Sequence, residues 1–174
     1  MKIIIVNGSS GVGKDEFANL FKKNYQYKCY NWSTIDKVKK ISKNNFGWNG
    51  DKTDEARKFL SEIKRIWTEF NNGPFIHMKK KILKHHSNLE KNHKTNIVYF
   101  IHCREPLEIK KFQNEFGDRC ITLLVKRNNI EIPDNESDKN VEDFIYDYII
   151  ENDGDKKDLE EKAIKFIKKI KASN

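Results

Sequence analysis

Residues 7–15 read NGSSGVGKD, and the flanking residues decide what that stretch means. Before it stands KIIIV (2–6), a short apolar run rich in β-branched residues, which reads as a buried strand of a parallel sheet. After it, KDEFANLFKK places Phe17, Leu20 and Phe21 at helical spacing. Gly8, Gly13 and Lys14 fit the pattern GxxxxGK. A strand before and a helix after form the context in which that pattern has a mechanism. Glycines let the backbone turn tightly, so that its N–H groups point inward around an anion. The helix N-terminus adds a partial positive charge. Lys14 would reach the β- and γ-phosphates of a nucleotide as a mobile cation. The stretch is therefore predicted to be a phosphate-binding loop made by Gly8, Ser9, Ser10, Gly11, Val12, Gly13 and Lys14, with Asp15 and Glu16 opening the helix. The plainer alternative is a strand–helix turn with an incidental lysine.

Asp15 departs from the pattern. A Ser or Thr hydroxyl normally follows the lysine and binds Mg²⁺. A carboxylate is also a good hard-oxygen ligand for Mg²⁺, but its charge repels phosphates unless the metal or Lys14 intervenes. Three roles fit: direct metal ligation, contact through water, or a favourable acid in a first helical turn.

Working outward, QYKCYNW (26–32) reads as a weaker strand. A helix over 33–45 opens at STID, a capping-box-like start with an acid three residues after Ser33. Residues 53–70 form a strongly amphipathic helix, with Ala56, Phe59, Leu60, Ile63, Ile66, Trp67 and Phe70 on one face. NNGP ends it, and another helix covers 75–89. NIVYFIHC (96–103) and RCITLLVK (119–126) read as buried strands on either side of a helix over 105–115. Residues 127–140 are polar and irregular and read as a mobile loop. A strand over 143–150, a turn at NDG and a lysine-rich helix over 155–171 close the chain. Strands separated by helices predict one α/β domain, a parallel sheet covered by helices.

Composition agrees with this class. The 174 residues are 37% hydrophobic and 34% charged, as expected for one soluble domain with a real core. The longest apolar runs fall far short of the roughly 20 residues of a membrane span, so no membrane partner is expected. The apolar start runs straight into the glycine loop and reads as part of the fold, not as a leader. Cys29, Cys103 and Cys120 show neither CxxC nor metal-ligand spacing and are expected to be reduced thiols of a cytoplasmic protein. The net charge of +8 is spread through a lysine-rich chain, so a solvated surface explains it without a nucleic-acid partner. The five histidines fit no zinc pattern and are expected at the surface, and KKKILKHH (79–86) is expected to be a solvated helix face.

A phosphate loop ending in GKD resembles those of phage-type deoxynucleoside monophosphate kinases and animal-type phosphomevalonate kinases, within the nucleoside monophosphate kinase group. NWSTIDKVKK (31–40) is similar to their S-x-A-x-x-(I/L)-K stretch, and ARKFLSEI (56–63) to their R-x-x-L-Q helix. VKR (125–127) followed by NESD (135–138) resembles their strand, arginine and lid. YDYIIENDGDKKDLEE (146–161) resembles their penultimate strand, I-x-N-(D/G)-G turn and final helix. The resemblance implies a single three-layer P-loop kinase domain over 1–174, with a five-stranded parallel sheet. It would have an acceptor-binding helical region at about 33–90 and a lid at about 127–140. It also implies ATP and Mg²⁺ as cofactors, and Ser33 and Arg57 on the acceptor.

A kinase must hold two anions against their mutual repulsion, and the arginine fork suits that task. Arg104 and Arg127 each follow a buried strand, at the carboxyl end where open α/β sheets bind ligands. Arg127, at the lid's entry, would clamp the transferring phosphoryl group. Asp36 is a candidate substrate or metal contact, or a helix cap. Trp48 is a candidate lid or base contact. An acid is expected at the end of strand 96–103, yet the sequence reads IHCREP, with His102 in that place. The expected activity is transfer of the ATP γ-phosphoryl to a phosphate-bearing acceptor, a (deoxy)nucleoside monophosphate first and phosphomevalonate or another small phosphate second. The rival reading is a nucleotide-binding P-loop protein without kinase activity.

Overall fold

The computed structural model describes residues 1–26, 28–91, 96–128 and 141–172. The elements run β1 (Lys2–Asn7), α1 (Lys14–Asn24), β2 (Lys28–Ser33), α2 (Asp36–Phe46), α3 (Asp54–Asn71), α4 (Gly73–Glu90), β3 (Ile97–His102), α5 (Pro106–Phe116), a 3₁₀ turn (Gly117–Arg119), β4 (Cys120–Lys126), β5 (Tyr148–Glu151) and α6 (Lys156–Ala172). The chain divides into two compact units, Met1–Asn31 with Lys94–Asn174 and, inserted between them, Trp32–His93.

The first unit is built on a five-stranded parallel sheet in the order β2-β3-β1-β4-β5. β1 lies at the centre, pairing Val6 with His102 of β3 and with Leu123 of β4. Strand residues alternate between faces, and the core follows that alternation. Ile4, Val6, Val98, Phe100, Ile121, Leu123 and Val125 join one apolar cluster with Phe17 and Phe21 of α1 and Phe166 and Ile167 of α6. Ile3, Ile5, Tyr99, Ile101 and Leu124, also buried, project to the other face, where α5 packs on β1 and β4. A strand buried on both faces must be apolar throughout, which is why KIIIV carries no alternation. Lys2 donates from Nζ to the carbonyl of Ile170 at 2.6 Å, tying the start of β1 to the last turn of α6.

β5 is shorter than expected. The sequence predicts a strand over 143–150, whereas pairing begins only at Tyr148. Asp147 explains the start. Its carboxylate accepts the Thr122 N–H (2.7 Å) and hydroxyl (2.8 Å), and the Asp147 N–H donates back to Thr122 Oγ1 (2.9 Å). The side chain takes the place of a backbone partner, so the ladder opens one residue later.

In the second unit α2, α3 and α4 pack on one another. Thr53 caps α3, its Oγ1 accepting the Ala56 N–H at 3.2 Å. The apolar stripe expected on α3 is only partly buried. Ala56 and Leu60 are covered, but Phe59 is 37%, Ile66 58% and Phe70 81% exposed. The buried residues Ala56, Leu60 and Lys64 recur every four positions. They form one narrow row, and the broader stripe spreads to either side of it.

Candidate nucleotide-binding site

The stretch 7–15 leaves the carboxyl end of β1 and turns into α1 through three glycines with left-handed or otherwise positive φ: Gly8 (143°), Gly11 (82°) and Gly13 (95°). L-residues pay heavily in such conformations. Space forbids side chains at two of them as well. A Cβ at Gly8 would collide with the carbonyl oxygen of Val125 on β4, and one at Gly13 with Nδ2 of Asn152. The loop is therefore pressed against the fold from beneath. Val12 turns its side chain into the core, Ser9 is buried, Ser10 is half-buried and Gly11 is exposed.

Lys14 folds back over this loop. Its Nζ donates to the carbonyl of Gly8 at 2.6 Å and to that of Ser9. The ammonium thus sits inside the curve of the backbone. Gly13 is the N-cap of α1 and offers no side-chain cap, and Asp15 and Glu16 occupy the first turn. Glu16 pairs with Lys156 of α6 at 2.8 Å.

Two asparagines missed by sequence reasoning, Asn7 and Asn152, hold the loop, and a third, Asn128, ties to the turn beside it. Asn7 is buried. Its Oδ1 accepts the Gly8 N–H at 2.8 Å, and its Nδ2 donates to the Arg104 carbonyl (3.0 Å) and the Tyr146 hydroxyl (2.7 Å). Tyr146 in turn donates to the Val141 carbonyl at 2.7 Å, and burial pushes its phenol up to about 12, which keeps that proton in place. Asn152 donates from Nδ2 to the Val12 carbonyl at 2.9 Å, while its N–H meets the Lys126 carbonyl at 2.7 Å. Asn128 donates from its N–H and Nδ2 to the two carboxylate oxygens of Asp153, each at 2.7 Å. The NDG turn after β5 thus braces both the phosphate loop and the chain leaving β4. The only sequence signal was the family-like turn itself.

Asp15 is 85% exposed, and its Oδ1 lies 3.5 Å from Nε2 of His102. The same Nε2 lies 2.7 Å from Oδ1 of Asn31 on β2. The residue standing where an acid is expected is thus an imidazole directed at the loop's own acid. A carboxylate and neighbouring carbonyl oxygens are the hard donors that Mg²⁺ takes alongside nucleotide phosphates, so the residues present fit that ion.

Arg104, half-buried, follows β3, and Arg127, exposed, follows β4. Both stand at the carboxyl ends of parallel strands in the same unit as the loop. The lid expected at about 127–140 lies, from residue 129 on, outside the described residues. Cys103 donates its thiol to Oε2 of Glu108 at 3.3 Å, and with Glu105 these form a compact thiol–carboxylate group just past β3. None of the three cysteines is in a disulfide, and burial pushes the thiols of Cys29 and Cys120 up to about 12.

In the second unit the Ser33 N–H donates to the Asp36 carboxylate at 2.8 Å, but α2 starts at Asp36 with Ile35 as its N-cap, so the capping box expected at STID is not formed: Ser33 still belongs to β2. Arg57 is exposed beside Asp54 at 3.3 Å. Trp48 donates from Nε1 to Oδ1 of Asp51 at 3.1 Å. The histidines of α4 are not simply surface residues. Lys81 lies 4.0 Å above the ring of Trp32, and His85 meets that ring edge-on at 5.2 Å. His77, Lys81 and His85 recur every four residues on one half-buried side of the helix, and burial lowers the basicity of all three. Nearby lysines lower the two histidines further, while Asp36 acts on Lys81 in the opposite direction.

No protein-family model and no curated protein matches the chain. Solved structures do. A Thermus thermophilus protein aligns over 97% of this chain and 96% of its own, with a TM-score of 0.55 and 17% identity. A gluconokinase from Sinorhizobium meliloti 1021 aligns over 97% of this chain and 93% of its own, with a TM-score of 0.51 and 10% identity. At such identities the likeness is one of fold, and the fold is that of the P-loop kinases. No helix among the described residues is long and apolar enough to cross a membrane.

Proposed function

We propose that the chain is an ATP-dependent phosphotransferase that passes the γ-phosphoryl group to a small phosphate-bearing acceptor, a (deoxy)nucleoside monophosphate by preference. One observation carries the reading: a loop of three positive-φ glycines, backed against β4 and Asn152, closes around the Lys14 ammonium at the N-terminus of α1. That arrangement is built for a polyphosphate. The N–H groups of residues 8–14 and the α1 dipole would hold the β- and γ-phosphates. Lys14 would leave the loop carbonyls for phosphate oxygens and follow the charge as it develops in transfer.

Asp15 would hold the Mg²⁺ that accompanies ATP, and the ion when bound would supply charge neutralisation for phosphoryl transfer. Arg104 and Arg127 are proposed for the transferring group, and Ser33, Asp36 and Arg57 for the acceptor. The chain would act as one domain, with 33–90 serving the acceptor and the segment after Arg127 serving as lid. A phosphate acceptor is already ionised at neutral pH and needs no general base, so positioning and charge neutralisation suffice. The gluconokinase likeness makes a small alcohol, and the GKD loop a phosphate such as phosphomevalonate, the next acceptors to test.

A second reading, nucleotide binding without transfer, is favoured by His102 standing where an acid is expected. Incubation with ATP, Mg²⁺ and a panel of nucleoside and other monophosphates separates the two. Transfer predicts ADP that appears only with one class of acceptor. Tight ATP binding with no acceptor-dependent ADP would favour the second reading.

A further inference from the structure

Two positions have exchanged chemistry here. The loop position after the lysine, usually a hydroxyl, is the carboxylate Asp15, and the end of β3, where an acid is expected, is His102. The two side chains meet in the fold, His102 Nε2 to Asp15 Oδ1 at 3.5 Å. Their settings differ sharply. The His102 side chain is 15% exposed, on a strand paired with β1, whereas that of Asp15 is 85% exposed on the first turn of α1. Asn31 Oδ1, at 2.7 Å, supplies a second oxygen to the same nitrogen. An amide oxygen only accepts, so Nε2 carries the proton that it donates to Asn31, with the Asp15 carboxylate 3.5 Å from the same nitrogen. That proton bars Nε2 from ligating a cation itself. The carboxylate keeps a second oxygen with its own lone pairs.

We propose that His102 is a positioning residue: its Nε2–H, anchored on Asn31, holds the Asp15 carboxylate in place for the divalent cation that arrives with the nucleotide. The inference rests on the nucleotide-binding reading above. An exposed carboxylate next to polyphosphate has orientations that would only repel the ligand. A rigid imidazole donor from the sheet narrows them, as outer-shell partners do at other metal sites.

The test is nucleotide affinity measured twice on the full chain, with a fluorescent ATP analogue, once with Mn²⁺ and once with EDTA. His102→Ala should weaken binding about tenfold with Mn²⁺, the low end for loss of an outer-shell partner. With EDTA it should leave affinity within about twofold. His102→Gln, whose amide nitrogen can stand in for Nε2–H, should restore most of the loss. In an Asp15→Ala background, His102→Ala should add nothing. An unchanged Mn²⁺ affinity would overturn the proposal. So would an equal loss with and without metal, or a loss that persists without Asp15. If the wild-type chain binds the analogue under neither condition, the phosphate-loop reading falls, and this proposal with it.

Discussion

Gly13 and Asn152 should be energetically coupled, because one side chain fills the space that the other residue lacks. Asn152 is buried and donates to the Val12 carbonyl at 2.9 Å, and a Cβ at Gly13 would collide with the same Nδ2. Asn152→Ala removes this bond and strands a buried carbonyl, at a cost of about 1–3 kcal/mol. Gly13→Ala meets two penalties. A non-glycine residue at φ 95° costs about 1–2 kcal/mol. The collision also expels the Asn152 amide, adding the same bond loss of about 1–3 kcal/mol. In the double variant the bond is lost once, not twice. The sum of the single effects should therefore exceed the double effect by that bond loss, about 1–3 kcal/mol. Equilibrium urea denaturation of the four proteins reads this directly, since midpoints move while slopes stay constant. Single effects that add within about 0.5 kcal/mol would refute the claim that Asn152 props the loop through Gly13.

Three further outcomes follow from the same geometry. Lys14→Ala should lower turnover by about 100-fold or more, the scale of losing one transition-state charge contact, with the denaturation midpoint little changed; steady-state ADP release measures it. Asp15→Ser should shift the Mg²⁺-to-Mn²⁺ activity ratio, because it removes the carboxylate proposed to hold the metal; an unchanged ratio would mean that Asp15 serves only in the first turn of α1. Cys29 and Cys120, with thiols raised to about 12 chiefly by burial, should resist alkylation in the native protein at pH 8 and react on unfolding. The sign of their linkage is also fixed. Between the unfolded thiol value and the raised native one the native state binds more protons, so their contribution to stability falls as pH rises through that window. Urea titrations at pH 8 and pH 10 report it.

The glycine turn from β1 into α1 was legible because it lies in nine consecutive residues between a β-branched run and a helical stripe. β1, β3 and β4 were legible for the same reason, since burial on both faces leaves an unbroken apolar word. What escaped depends on contacts far apart in the chain. Asn152 meets Val12 across 140 positions and His102 meets Asn31 across 71, and neither has a local signature. The expected start of β5 failed because Asp147 spends its carboxylate on Thr122, which reads as an ordinary polar residue in sequence. The α3 stripe was real as a pattern, but the row that α2 and α4 cover is narrower than the pattern. The histidines of α4 were read singly, whereas the four-residue spacing of His77, Lys81 and His85 puts them on one side, where Lys81 and His85 meet Trp32 and His77 meets Trp67.

The central claim is that this loop moves a phosphoryl group, and labelled transfer tests it most directly. With ATP labelled in the γ-phosphate, Mg²⁺ and a nucleoside monophosphate, the label should appear in the corresponding diphosphate, and Lys14→Ala should abolish its appearance. Label that stays in ATP, or passes only to inorganic phosphate with every acceptor tried, would contradict the account.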